Sequence, residues 1–258
     1  LAKEAADGKA LVAASVGPIG DIPKGMTCPK DKAVGIIAGQ IRALASGEPD
    51  FILFETLRSL SDVEVSLAAL EIAAPDMPFM VSVQVDREAQ TQSGDDVAAI
   101  LACLSASALQ PSAFGINCGS GPEAMLSAYE KFAHDCPYPV VVQPNAGAPK
   151  NVDNRMIYMS SPEYFTTYAM RYISLGARGI GGCCGTTPDH IRDMARSINP
   201  MAKIERAAKV QVTAPEIPLK EPVPTAEKSR LAGKLAAREW VYTVEIVPPQ
   251  GNLLAQTV

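Results

Sequence analysis

Six short apolar runs, each followed by a stretch with helical spacing, fill residues 10–198, and this alternation constrains the fold more than any other feature. The runs are "ALVAASV" (Ala10–Val16), "DFILFE" (Asp50–Glu55), "PFMVSVQV" (Pro78–Val85), "AFGIN" (Ala113–Asn117), "PVVVQ" (Pro139–Gln143) and "ARGIGG" (Ala177–Gly182). Most are continuously apolar, as strands buried on both faces should be. Between them, "DKAVGIIAGQIRALAS" sets Val34, Ile37, Ile41 and Leu44 at helical spacing. "SDVEVSLAALEIAA" opens on Ser61 with Glu64 three residues on, a capping-box pattern. "SGDDVAAILACLSAS", "GPEAMLSAYEKFAHD", "SPEYFTTYAMRYISL" and "TPDHIRDMARSIN" complete the set, and the last three place Pro at or near the first helical position. Strand–helix units recurring at roughly 30–40 residues imply parallel strands and right-handed crossovers. Two architectures fit: an open doubly wound sheet, or a (β/α) barrel with two units missing. No G-x-G-x-x-G follows the first run, which weakens the dinucleotide-binding version of the open sheet.

The chain has 258 residues, enough for one large α/β domain or two smaller ones. Its first residues, "LAKEAADGKA", read as a helix already in progress, with neither an initiator Met nor the apolar core of a signal peptide. A piece of a longer protein is therefore expected. After Pro200, scattered prolines and charges with little periodicity predict a linker over 201–238. At 239–258, "EWVYTVEIVPPQG" has strand-like alternation around Glu245 and reads as the first strand of another domain, cut short.

The formal charge of -5 is mild and spread along the chain, and no basic block stands out. Nucleic acid and anionic membrane are therefore not expected partners, and no run approaches a transmembrane helix. The six cysteines are too scattered for a disulfide framework, which points to reduced thiols in the cytoplasm.

Polar and sulfur-bearing residues collect at the ends of the predicted strands: Glu55 in "FET", Asn117 and Cys118 in "GINCGSG", Asn145 in "QPNAGAP", and Cys183 and Cys184 in "GGCCG". The C-terminal ends of parallel strands form the active face of both candidate folds. If the Asn145 strand alone separates the other two, Cys118 and Cys183 lie about 10 Å apart before curvature narrows the gap. Inward side chains can then meet at one ion. Gly181, Gly182 and Gly185 permit the backbone excursion that would let Cys184 join them. Three thiolates suit tetrahedral Zn²⁺ with its fourth position open, which is a catalytic pattern, and Asn145 is a candidate for a weak, displaceable ligand.

Blander readings exist for each. Paired cysteines can be small buried hydrophobes, although the glycines and Cys118 weigh against that; a vicinal disulfide is strained. Cys103 falls in an apolar helix stripe, and Cys28 and Cys136 sit in loops without paired spacing. His134 and His190 read as solvated or capping residues. Glu55 alone can be an ordinary strand-end acid, and "PNAG" alone a plain turn.

Together, "GINC", "QPNAG" and "GARGIGGCCGTTPDHIR" closely resemble the homocysteine S-methyltransferase family, as do "SVGPIGD" and "FILFETLRSLSDVEVSLAAL". The resemblance covers roughly residues 1–200. It implies an α/β fold, a zinc TIM (β/α)8 barrel whose third to eighth βα units are present and whose first two strands are missing. It also implies Cys118, Cys183 and Cys184 as zinc thiolates, Glu55 as the acid holding the homocysteine amino group, and Asn145 at the turn lining the metal. The implied substrates are homocysteine and a small-molecule methyl donor, and the product is methionine. "YTVEIVPPQ" separately resembles the first strand of methylenetetrahydrofolate reductase, a flavin (FAD) barrel in which the acid at Glu245 serves proton transfer. In this order the two resemble the bifunctional homocysteine methyltransferase/methylenetetrahydrofolate reductase proteins. The alternatives are a non-catalytic zinc-binding or redox-responsive module, and a parallel-sheet protein with purely structural cysteines.

Overall fold

The computed structural model describes residues 1–20, 28–152, 155–207 and 237. In chain order its elements are α1 (Ala2–Ala6), β1 (Ala13–Val16), α2 (Lys30–Ala45), β2 (Phe51–Leu57), α3 (Leu60–Ala73), β3 (Phe79–Val83), α4 (Val97–Ala106) and β4 (Ala113–Asn117). They continue with α5 (Pro122–Phe132), β5 (Val140–Gln143), β6 (Lys150–Val152), β7 (Arg155–Ile157), α6 (Pro162–Ser174), β8 (Gly179–Ile180) and α7 (Pro188–Ala207). The six predicted strands form one sheet in the order β1-β2-β3-β4-β5-β8, every pair parallel.

That order never reverses. A doubly wound sheet changes direction at a switch point, so of the two architectures the chain winds as a barrel does. Neighbouring helices follow the same succession, with α2 against α3, α3 against α4, α5 against α6 and α6 against α7. Among the described residues β1 and β8 each have a single strand partner, so no closed ring is seen. No described helix is long and apolar enough to cross a membrane.

The core lies between the sheet and these helices. Ile52, Phe54, Val81, Phe114, Ile116 and Val142 from the strands meet Ile41, Val63, Leu70, Ile100, Leu104 and Tyr129 from the helices, all inaccessible or nearly so. Burying each such side chain contributes about 1.5–3 kcal/mol. β3 is buried at every position, as a central parallel strand should be. Phe114 packs edge-on against Phe132 and so ties β4 to α5.

Four local features differ from the sequence reading. The cap of α3 is Ser59, whose hydroxyl accepts from Asp62 N at 3.0 Å, rather than Ser61 with Glu64. "SLSDVE" contains the Ser-x-x-acid spacing twice. The first is selected because Asp62 also accepts from Arg58 N and Asp95 receives Leu60 N. Glu64 instead pairs with Lys30 of α2 at 2.7 Å. The antiparallel hairpin β6–β7 has no apolar alternation to announce it. α7 continues through Pro200 to Ala207, so residues 201–207 are helical where a linker was expected. The remainder of the 201–238 linker (residue 237 apart), the 239–258 segment and Glu245 lie outside the described residues.

Truncating Phe114 to Ala should lower stability by about 3–5 kcal/mol through loss of buried area and a residual cavity. Urea unfolding checks this, with a lower midpoint at unchanged slope as the expected result.

Candidate metal centre

The site assembles at the C-terminal ends of β2, β4, β5 and β8. β4 ends at Asn117, and Cys118 turns out of the strand with φ +61° while its N–H still bonds to Gln143 O at 3.2 Å. A left-handed conformation is uncommon outside glycine, and here it redirects the residue that carries the thiol. Across β5, the segment after β8 is held by three hydrogen bonds, two between backbones and one to a side chain. Cys183 N donates to Pro144 O at 2.9 Å, Ala146 N to Cys184 O at 2.8 Å, and Cys184 N to the side-chain Oδ1 of Asn145 at 3.1 Å.

The glycines around the double cysteine serve different needs. Gly185 has φ +76°, and a Cβ there would lie 2.3 Å from the Tyr158 side chain. Gly182 has no left-handed torsion; its need is space, because a Cβ would fall 2.3 Å from Thr186 Oγ1. Only Gly185 of the three nominated glycines therefore supplies a special torsion.

The result is a triangle of sulfurs. Cys118 Sγ lies 3.9 Å from Cys184 Sγ, Cys183 Sγ lies 4.0 Å from Cys184 Sγ, and all three sit within 4.8 Å of one another. Thiolates bound about 2.3 Å from one tetrahedral ion are separated by about 3.8 Å, so this donor set fits zinc in both chemistry and spacing. Among the described residues no other group of His, Cys, Asp or Glu comes together in this way.

Crowding three thiols splits their acidities. The hydrogen bond from Cys183 holds the Cys118 thiol far below its ordinary range, at about 5; burial opposes this, and Gly119 N–H, Cys184 and Asn145 reinforce it. The same bond, followed by burial, pushes Cys183 upward. Tyr158 approaches from the loop after β7, and its hydrogen bond to Cys184 raises the phenol.

The remaining predicted residues take distinct places. Glu55 lies on β2, where its carboxylate accepts a hydrogen bond from Ser15 Oγ of β1. Asn145 is 3% exposed, with Oδ1 already engaged by Cys184 N–H, so it braces a thiol-bearing segment. His190 caps α7: its Nδ1 accepts from Thr187 N, and its Nε2 meets Ser160 O at 3.0 Å. Cys103, Cys136, Cys28 and His134 are absent from the sulfur cluster. Ser15, Thr56, Ser82 and Tyr158 escaped the sequence reading. Ser15 and Ser82 carried a signal, each as a polar residue inside an apolar run.

Comparison with known proteins follows the same lines. The sequence profile described as Homocysteine S-methyltransferase matches residues 1–198. Methionine synthase of Mycobacterium leprae is 30% identical over 160 residues, which is 60% of this chain and 13% of that protein. The chain therefore spans a small part of that relative's length. Among solved structures, the apo form of the homocysteine methyltransferase MmuM from Escherichia coli is similar with a TM-score of 0.60 and 27% identity, covering 75% of this chain and 67% of that one. Its metallated form gives a TM-score of 0.61 at 26% identity, covering 76% and 66%.

In the metal-free protein, brief iodoacetamide treatment near about pH 6 should label Cys118 first, because a lowered pKa keeps the thiolate present there. Labelling should fail as pH drops through about 5, whereas burial leaves Cys103 and Cys136 as protonated, slower thiols. Peptide mapping by mass spectrometry checks the order; equal rates at all three would contradict it.

Proposed function

Because the chain belongs to the homocysteine S-methyltransferase family, we propose that it transfers a methyl group to the thiol of homocysteine, using zinc and giving methionine. The observation that carries this is the three-sulfur cluster, with its zinc-compatible spacing and no fourth protein thiol, carboxylate or imidazole beside it among the described residues. A structural zinc site normally closes with four protein donors, whereas three leave a position for substrate. This favours the enzyme over the regulatory-module alternative.

Cys118, Cys183 and Cys184 would hold the ion, and zinc bound there would supply the positive charge that lowers the pKa of a substrate thiol. The chain's own residues do the positioning. Glu55 binds the ammonium of homocysteine, and Ser15 fixes the carboxylate so that it meets the substrate in one orientation. Asn145 holds the Cys184 backbone and turns its amide toward Cys118, lining the pocket into which the amino acid projects. Two further strands would join β1 to β8 and complete a (β/α)8 barrel around this site, in a methyltransferase domain over 1–200.

The wider organisation belongs to the same proposal. The "YTVEIVPPQ" resemblance supports a linker over 201–238 and a methylenetetrahydrofolate reductase-like domain beginning at 239–258, which would bind FAD and use Glu245 in proton transfer. The unpaired state of the cysteines supports a reducing compartment such as the cytoplasm.

Cys118→Ala should abolish stoichiometric zinc and homocysteine binding together, read by metal analysis and calorimetry; full methyl transfer by this variant would sink the proposal. Glu55→Gln should keep its zinc but bind homocysteine about 10–100-fold more weakly, the worth of a charge-assisted hydrogen bond.

A further inference from the structure

Asn117 is the last residue of β4, directly before Cys118, and is 1% exposed. Its carboxamide is fully used. Oδ1 accepts from Thr56 N at 3.0 Å and from the buried Ser82 hydroxyl at 2.7 Å. Nδ2 donates to Thr56 Oγ1 at 2.8 Å and approaches Cys183 Sγ at 4.0 Å. The orientation is fixed by chemistry, because a backbone N–H can only donate and the atom facing Thr56 N must therefore be the oxygen. One side chain thus reaches β2, β3 and the segment after β8.

The contact with β2 falls on an unusual residue. Thr56 has φ +60°, and the β2–β3 register shifts between Phe54 and Leu57. A β-branched residue in the left-handed region is strained by about 1–3 kcal/mol and persists only where its surroundings hold it. Among the described residues, Asn117 grips Thr56 at both backbone and side chain. Glu55 is the adjacent residue, so the same grip sets where its carboxylate stands relative to the sulfurs.

We infer that Asn117 is a positioning residue that clamps the left-handed turn at Thr56 and thereby sets the spacing between the amino-acid-binding carboxylate of Glu55 and the thiol cluster. This rests on the assignment of Glu55 to the homocysteine ammonium. Beside its approach to Cys183 Sγ, Asn117 acts through the backbone and hydroxyl of Thr56.

The test is a double-variant cycle in the zinc-loaded full chain, read by calorimetric homocysteine binding and by metal analysis. Asn117→Ala should weaken homocysteine binding about 10–100-fold, the usual effect of losing an outer support of a metal site, while zinc stoichiometry stays at the wild-type level. Adding Thr56→Gly should recover binding to within about 5-fold of wild type, because glycine takes the left-handed torsion without a clamp. A residue that only stabilises the core would show no such rescue. If Asn117→Ala fails to fold, Thr56→Val serves: losing one grip should weaken binding about 5-fold, and unchanged affinity would overturn the inference. Wild-type affinity in Asn117→Ala, or a double variant no tighter than the single one, would also overturn it. A wild-type chain that binds zinc but no homocysteine would overturn the proposed function and this inference together.

Discussion

The hydrogen-bond ladder that joins β4 to β5 and β5 to β8 sets the distance on which the sulfur cluster depends. Phe114 to Asn117 stand opposite Val140 to Gln143, and Val141 and Val142 stand opposite Gly179 and Ile180. The ladder continues past the strand ends, since Cys118 N reaches Gln143 O and Cys183 N reaches Pro144 O. Both thiol-bearing segments are therefore anchored to the same short stretch of β5. A one-residue slip in either register would send the side chains to opposite faces. Packing of the apolar faces against the helices prevents that slip, so the core residues hold the sulfurs in place without touching them.

Two of the five described non-glycine residues with positive φ lie at the same point. Thr56 and Cys118 are non-glycine residues with left-handed torsions, the first hydrogen-bonded to Asn117 and the second next to it in the chain. Thr56 shifts the register within β2 directly after Glu55, and Cys118 turns the chain out of β4 at the thiol. Several buried polar groups there are tied down, namely Asn117 with Thr56 and Ser82, Asn145 with Cys184, and His190 with Thr187 and Ser160, whereas Ser120 Oγ, Gln143 Oε1 and Thr186 Oγ1 beside them have no protein partner. Buried amides that use their full hydrogen-bonding capacity hold a single geometry firmly, whereas half-satisfied ones would not.

Where the sequence signal was periodic, it located the elements closely. "AFGIN" is β4 residue for residue, and the helix stretches contain α2 to α6 within a few positions. Where the signal was local and repeated, it was ambiguous. The two Ser-x-x-acid spacings in "SLSDVE" look alike in sequence, and the choice falls to bonds that flank the helix start: Arg58 N to Asp62 and Leu60 N to Asp95, while Glu64 is drawn to Lys30 of α2. Short polar strands such as β6 and β7 leave no periodic trace. The roles of the glycines near the double cysteine were only partly legible, because space beside Thr186 is invisible in a one-dimensional pattern.

By itself the sequence determined the parallel βα alternation, the family and which three cysteines to look for together, because residue type and period are local properties of the chain. Only the tertiary structure decided that the strands wind without reversal, and that three sulfurs meet within 4.8 Å. It also decided that Asn117 links Thr56 and Ser82 to the cysteine cluster. These are relations between residues dozens of positions apart, and they exist only once register, burial and backbone torsion bring those positions to one place.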